Sequence, residues 1–536
     1  MTLALLAPVP PPAMPAGPHW GSNFVTIAFL RALLRYGPFE RYLFFGADMD
    51  TAQQNLQALQ VSWPGAQKIE LHHVWQLPEI LSRTPIQALH TTNNFLHRVV
   101  HARSLVPGGH FPVTASAFQS TSFHGVLPEY AQDLITGVWP CDRLAVMSDA
   151  MAEVLQGTYA HLAESALAAW SGPKTPPQLR TIYPGIDTEQ MRPVPDTPWR
   201  RKLHVPDNAF IVLWLSRLSP ADKADLQPVL RSFRDYLART DDHERPIHLV
   251  IAGSDYANYG TAVVRWVQEY GIGERVRGVG NPREADKAAL MSAADCFLSL
   301  TDNPQEAFGY AILEAMACGK PVVASDWDGQ KETVSDDVGF RVPTIWGPQR
   351  RLDAISPLYW LSETAPMQMA AAQSVAIDMP AAWEAVERLR RDPALTRQMG
   401  AAARARAVAL FSWQAIIAQY VAMWDEAQTA AATCELPAGP TMRYPMAFAK
   451  AYQHYPTRWL DGDLRVCQAQ GGGEIDLDSP YVTMQHLLQP ALLEQVLMLS
   501  GSGTSVDELI TATAEDTDTV YRHVLWLLKQ GYLRAA

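Results

Sequence analysis

Residues 306–324 read EAFGYAILEAMACGKPVVA, placing Glu306 and Glu314 eight positions apart with Phe308-Gly309 between them. Eight residues on a regular helix turn the chain by roughly 80° beyond full turns, so a helix running through both would not present them on one face. The spacing predicts instead that Glu306 sits on the preceding loop, TDNPQ, and that a helix begins near Gly309. Glu314 then lies about one turn into that helix. The first amides of such a helix, those of Gly309, Tyr310 and Ala311, have no carbonyl partners and favour an anion such as a diphosphate. Glycine at the start allows close backbone approach. Two carboxylates beside an anion site make chemical sense when they accept hydrogen bonds from hydroxyls. A sugar nucleotide supplies both groups: diphosphate for the amides, sugar and ribose hydroxyls for the carboxylates.

The elements that must hold these residues follow from the pattern of apolar runs. Up to about residue 185, LALLAPV, RYLFFG, IQALHT, FPVTASA and RLAVMS are strand candidates, and NFVTIAFLRALLRYG is a helix closed by Gly37. Strand-helix alternation of this kind predicts a parallel sheet covered on both faces. TIYPGIDTEQMRP at 181–193 reads as a linker. Alternation restarts with AFIVLWLSRL, PIHLVIAG, VRGVG, CFLSL and KPVVASD, and residues 381–429 are helical in pattern. The expected organisation is a Rossmann-like unit over 1–185, a second over 186–432, and a small appended domain over 433–536. That last segment is expected to be helical or winged-helix-like, with a capping box formed by Ser505 and Glu508.

EAFGYAILEAMACGKPVVA resembles the donor-binding signature of family 4 glycosyltransferases, E-x-F-G-x-x-x-L-E-A-M-A-x-G-x-P-V-V-A, and every fixed position is matched. The resemblance covers roughly residues 1–429. It implies an α/β GT-B fold, two doubly wound domains facing across a cleft, and a retaining transfer of a sugar from a nucleotide-sugar donor. It further implies that Glu306 contacts the donor sugar and that Glu314 binds ribose hydroxyls. LSRLSPADKADL is similar to the family's G-R-L-x-x-x-K segment, which assigns diphosphate neutralisation to Arg217 and Lys223. The same resemblance places Gly21 and Ser22 on the family's glycine loop and adds Phe308, Gly309, Tyr310 and Ala311 to the donor contacts. Where the family has a histidine after its P-V strand, this chain has Phe118; His124, six residues on, is the candidate replacement.

The 536 residues exceed a single core, and 48% hydrophobic with 18% charged residues describes an ordinary globular protein. A net charge of −12 argues against nucleic acid as a partner and allows at most peripheral contact with a membrane surface. Five scattered cysteines without a C-x-x-C pair predict neither a disulfide framework nor structural zinc. No apolar run approaches the about 18 residues of a spanning helix. The expected protein is therefore cytoplasmic, peripheral at most to the inner face of a membrane, with no cofactor, a UDP- or GDP-sugar as donor and an unassigned acceptor. D-W-D at 326–328 mimics a metal-binding D-x-D. The same spacing recurs at 48–50, 461–463 and 516–518, so no metal is expected there. Residues 433–536 are expected to recruit a protein partner, to self-associate or to support the core. A different reading, a non-catalytic sugar-nucleotide-binding scaffold, is motivated by Phe118.

Overall fold

The computed structural model describes residues 1–12, 21–118, 126–172, 174–255, 258–304, 306–348, 350, 353–354, 364–434, 448–469, 475, 487–501 and 503–536. His124 and the glycines at 471–473 lie outside the described residues.

Short runs buried on both faces need helices above and below, and they pair in parallel. The first sheet is built from β1 (Thr2–Leu5), β2 (Arg41–Gly46), β3 (Ile69–His73), β4 (Leu89–Thr91), β5 (Val113–Ala117), β6 (Arg143–Val146) and β7 (Gln178–Thr181). Its order is β3-β2-β1-β4-β5-β6-β7, parallel throughout. Helices α1 (Gly21–Tyr36), α2 (Met49–Ser62), α3 (Leu77–Arg83), α4 (Leu96–Ser104), α5 (Leu127–Ile135) and α6 (Asp149–His161) connect the strands.

The second sheet has β8 (Phe210–Leu215), β9 (Ile247–Ala252), β10 (Val276–Val279), β11 (Cys296–Ser299), β12 (Val322–Ser325) and β13 (Gly339–Val342), in the order β10-β9-β8-β11-β12-β13. Its helices are α7 (Trp199–Lys202), α8 (Leu226–Leu237), α9 (Tyr259–Glu269), α10 (Glu284–Ala293), α11 (Tyr310–Ala317) and α12 (Gln330–Thr333). A short antiparallel ribbon, β14 (Thr344–Trp346) with β15 (Val375–Ile377), follows, with α13 (Thr364–Ala372) between its strands. Both sheets reverse their winding beside the first strand, at β1/β4 and at β8/β11. In open parallel sheets such a switch point opens a crevice at the carboxyl ends of the strands. β3, β7 and β13, which the apolar pattern did not reveal, are edge strands with mixed, half-exposed sequences such as IELHH and QLRT.

The helical stretch after the second sheet resolves into α14 (Met379–Arg391), α15 (Pro393–Phe411) and α16 (Trp413–Ala431). α16 crosses back onto the first domain. Its Trp424 Nε1 donates to Thr114 Oγ1 at 3.0 Å, and its Tyr420 hydroxyl meets Ser116 Oγ at 2.8 Å. Thr114 and Ser116 in turn engage the two ring nitrogens of His90 at 2.8 and 3.1 Å. Complete burial pushes the His90 pKa down to about 3, so the ring is neutral and this polar seam carries no charge. One apolar core consequently runs unbroken from the first sheet through α11 to α16, and a second fills the far face of the second sheet.

The appended unit comprises α17 (Phe448–Ala451), a sheet of order β17-β16-β18 from β16 (Arg465–Gln468), β17 (Thr504–Ser505) and β18 (Leu533–Ala535), and helices α18 (Pro490–Leu499), α19 (Val506–Thr513) and α20 (Thr517–Gln530). The capping box closes as expected: Glu508 N–H donates to Ser505 Oγ at 3.2 Å and Ser505 N–H to Glu508 Oε2 at 2.7 Å. Val466, Leu493, Val506, Leu509, Val524 and Leu527 form a core separate from the other two. Among the described residues no helix is long and apolar enough to cross a membrane. Because this third core shares no residue with the others, a chain ending near residue 435 is expected to keep the unfolding temperature of the two-sheet body. Thermal unfolding followed by circular dichroism checks this, and an insoluble truncation would show that the unit supports the body.

Candidate active site

The β8/β11 switch point carries the two loops that sequence singled out. Lys223 lies on the loop leaving β8 and Glu306 on the loop leaving β11. Their side chains meet, Lys223 Nζ to Glu306 Oε2 at 2.8 Å, with only 23% and 14% of each side chain exposed. The other carboxylate oxygen, Glu306 Oε1, accepts the Gly309 N–H at 3.1 Å. Gly309 sits at φ 81°, ψ 61°, a left-handed conformation that suits glycine, and it is the N-cap of α11. The helix therefore begins where the spacing placed it, but one of its supposedly unpaired amides is already taken by Glu306. Burial opposes ionisation of Glu306. The Lys223 ammonium and the Gly309 and Phe308 amides outweigh it and hold this carboxyl below the usual range.

Asn303, fully buried, ties the two loops together. Its Nδ2 donates to the Lys223 carbonyl at 2.8 Å, and its Oδ1 accepts the Glu306 N–H at 3.3 Å. Trp327 Nε1 holds the Asn303 carbonyl at 2.9 Å. Arg217, at the end of β8, pairs with Asp222 at 2.8 Å. Both cations assigned to a diphosphate are thus engaged with carboxylates of the chain itself.

Residues 195–355 match the family described as Glycosyl transferases group 1. The match falls wholly within the second domain. Relatives include a D-inositol 3-phosphate glycosyltransferase of Saccharomonospora viridis, 30% identical over 207 residues, which are 38% of this chain and 44% of that protein. A D-inositol 3-phosphate glycosyltransferase 2 of Catenulispora acidiphila is 27% identical over 164 residues, 30% of this chain and 38% of that protein. The chain spans less than half the length of these curated relatives. Among solved structures, Anabaena Alr3699/HepE in complex with UDP aligns with a TM-score of 0.51 at 18% identity, covering 79% of this chain and 99% of that one. A glycosyltransferase from Rickettsia africae gives 0.53 at 16% identity, covering 80% and 98%. These likenesses establish the fold, which is GT-B.

The remaining residues singled out from sequence are differently placed. Glu314 is only 4% exposed, and its Oε1 pairs with Lys287 Nζ at 3.2 Å, while Lys287 also reaches Glu284 at 2.8 Å. Burial raises the Glu314 pKa, and Lys287 only partly offsets it. Phe24 of α1 lies 5.3 Å from Lys287 and packs edge-on against Tyr310, so the first domain covers this corner. The Tyr310 hydroxyl donates to the Gly185 carbonyl at 2.9 Å, and the Phe308 ring packs with Tyr183 and Phe411. Both aromatic side chains at 308–311 thus pack on the inter-domain linker or its neighbours. α1 opens at Gly21, so Gly21 and Ser22 stand at a helix N-terminus. Phe118 is buried against Phe29 at 5.6 Å and is a core residue.

Sequence reasoning missed Asn303, Lys287 and the role of Asp328. Only Lys287 left a signal, its three-residue spacing from Glu284, which by itself marks an ordinary helix surface pair. Asp326 sits 3.8 Å from Arg341. Asp328, at φ 46°, is half-buried, and burial together with the Glu306 charge pushes its pKa up to about 8 from an ordinary 3.8. The folded chain therefore holds a proton on Asp328 that the unfolded chain has released above its ordinary pKa. Stability from this group falls as pH climbs between those two values and is lost above about 8. Asp302, pushed by burial to about 7, acts in the same direction. Asp328→Asn, which tolerates a left-handed backbone, is expected to raise the unfolding temperature more at about pH 8.5 than at about pH 5. An equal shift at both would mean that Asp328 is ionised throughout.

Proposed function

We propose that the protein is a retaining, metal-independent glycosyltransferase that moves a sugar from a nucleotide diphosphate to an acceptor hydroxyl. The observation that carries this reading is the Glu306–Lys223 pair at the β8/β11 switch point, seated on the first amide of α11. A diphosphate arriving there takes over Lys223, Arg217 and the helix dipole. Glu306, released from its ammonium, accepts hydrogen bonds from the transferred sugar. The bond from the anomeric carbon to the diphosphate breaks as the acceptor oxygen bonds that carbon on the same face. The acceptor proton passes to the leaving phosphate oxygen. Lys223, Arg217 and the amides stabilise the charge that develops on the diphosphate, so no step calls on a divalent ion. A UDP-sugar is favoured over a GDP-sugar by the structural likeness to HepE, which was solved with UDP. Ribose contact through Glu314 requires that Phe24 and Lys287 move aside.

The scaffold reading draws on the same geometry, since cations neutralised by the chain's own carboxylates could simply hold a ligand. Release of free nucleotide from UDP-glucose by purified protein separates the two readings, because a binder releases none.

Glu306→Ala, Arg217→Ala and Lys223→Ala are each expected to lower turnover by at least ~10²-fold, the scale for losing one preorganised electrostatic group. Steady-state kinetics on variants with native circular dichroism measure this. Wild-type turnover in the folded Arg217→Ala/Lys223→Ala double variant would sink the assignment. Turnover is also expected to persist in EDTA. Complete loss, restored by Mn²⁺, would show that a metal is needed and would return Asp326 and Asp328 to consideration as ligands.

A further inference from the structure

The first turn of α6, in the first domain, is capped from two directions. Its own N-cap, Ser148, accepts the Met151 N–H at 3.0 Å. The two preceding amides, Asp149 and Ala150, donate to Glu332 Oε2 and Oε1, each at 2.9 Å. Glu332 belongs to α12 of the second domain, so a single carboxylate closes the N-terminus of a helix across the domain interface. Paired orphan amides and the positive end of the helix dipole make this a favourable seat for an anion.

The same contact reaches the donor loop. Ser148 Oγ donates to the Ala307 carbonyl at 3.1 Å, on the residue after Glu306. Gly329, at the turn into α12, completes the junction: a Cβ there would stand 2.8 Å from the Ala307 oxygen and 3.0 Å from Ser148 Cβ. Glu332 is anchored on its own side by Arg406, which donates to the Glu332 carbonyl at 2.8 Å and to that of Thr333 at 3.2 Å. The linker residue Tyr183 also leans on it. Burial, with the Glu332 and Asp149 charges, pushes that phenol up to about 12.

We propose that Glu332 is a positioning residue: its carboxylate clamps the first domain onto the 306–309 loop and thereby fixes the backbone that carries Glu306 over the cleft. The inference rests on the transferase reading and deepens it, because admitting a donor requires the clamp to open and turnover requires it to close.

Two measurements on the full chain test it: small-angle X-ray scattering without ligand, and release of nucleotide from UDP-glucose. Both are made on wild type, Glu332→Gln and Glu332→Asp. The wild-type profile is expected to fit the closed arrangement. Glu332→Gln, which sets an amide NH₂ against the helix amides, is expected to enlarge the radius of gyration and lower kcat/KM about tenfold, with Glu332→Asp recovering part of both. Should the Gln variant fail to fold, the Asp variant, which keeps the charge and shortens the reach, carries the same test with smaller shifts. A wild-type profile that fits only separated domains would overturn the proposal. So would a folded Gln variant of unchanged size and kinetics, or one whose sole change is a lower unfolding temperature. If wild type releases no nucleotide, the transferase reading or the donor choice fails, and the scattering alone still decides whether Glu332 clamps the domains.

Discussion

A carboxylate placed in a cleft between two domains cannot remain without partners, and the architecture around Glu306 answers that constraint. An isolated buried charge is costly, so it must be paired and hydrogen-bonded or take up a proton. Here it is paired by Lys223 and bonded by the Gly309 amide, and Asn303 ties the two loops that make this possible. The left-handed Gly309 at the start of α11 and the raised pKa of Asp328 nearby accompany this one anion where two sheets meet.

The same arrangement sets what a donor must do. Arg217, Lys223 and Lys287 each rest on a carboxylate of the chain, so the ligand-free cleft is electrostatically closed on itself. On the proposed function, a diphosphate gains these cations only by exchange, and the exposed hydroxyls of its sugar and ribose replace what the carboxylates lose. Binding is then an exchange of partners in a low-dielectric crevice, which rewards a ligand carrying both groups and penalises one carrying phosphate alone. Domain closure enters because α1 and α6 of the first domain touch this cleft through Phe24 and Ser148.

The two halves are also joined where α16 returns to the first sheet through an uncharged seam. A neutral His90 between Thr114 and Ser116, joined to Tyr420 and Trp424, fixes the return point without a buried charge. The appended unit stands apart energetically, with its own core and its own capping box.

Much of this was legible in the chain alone. Alternating apolar runs announced two parallel sheets, because strands buried on both faces must be apolar along their length. Glu306, Phe308 and Gly309 announced a loop and a helix start, because a helix N-terminus and its preceding residues obey local rules. Edge strands such as Ile69–His73 stayed hidden, since a half-exposed strand carries no distinctive pattern. The partners of the charged residues stayed hidden for a deeper reason. Lys287 beside Glu314 and Glu332 on α6 are contacts between segments 27 and more than 180 residues apart, and no local spacing encodes them. Sequence determined which residues carry charge and which backbone turns they stand on; only tertiary packing, by deciding which charges lose their water, determined which carboxylate is buried, which has its pKa raised and which bridges the domains.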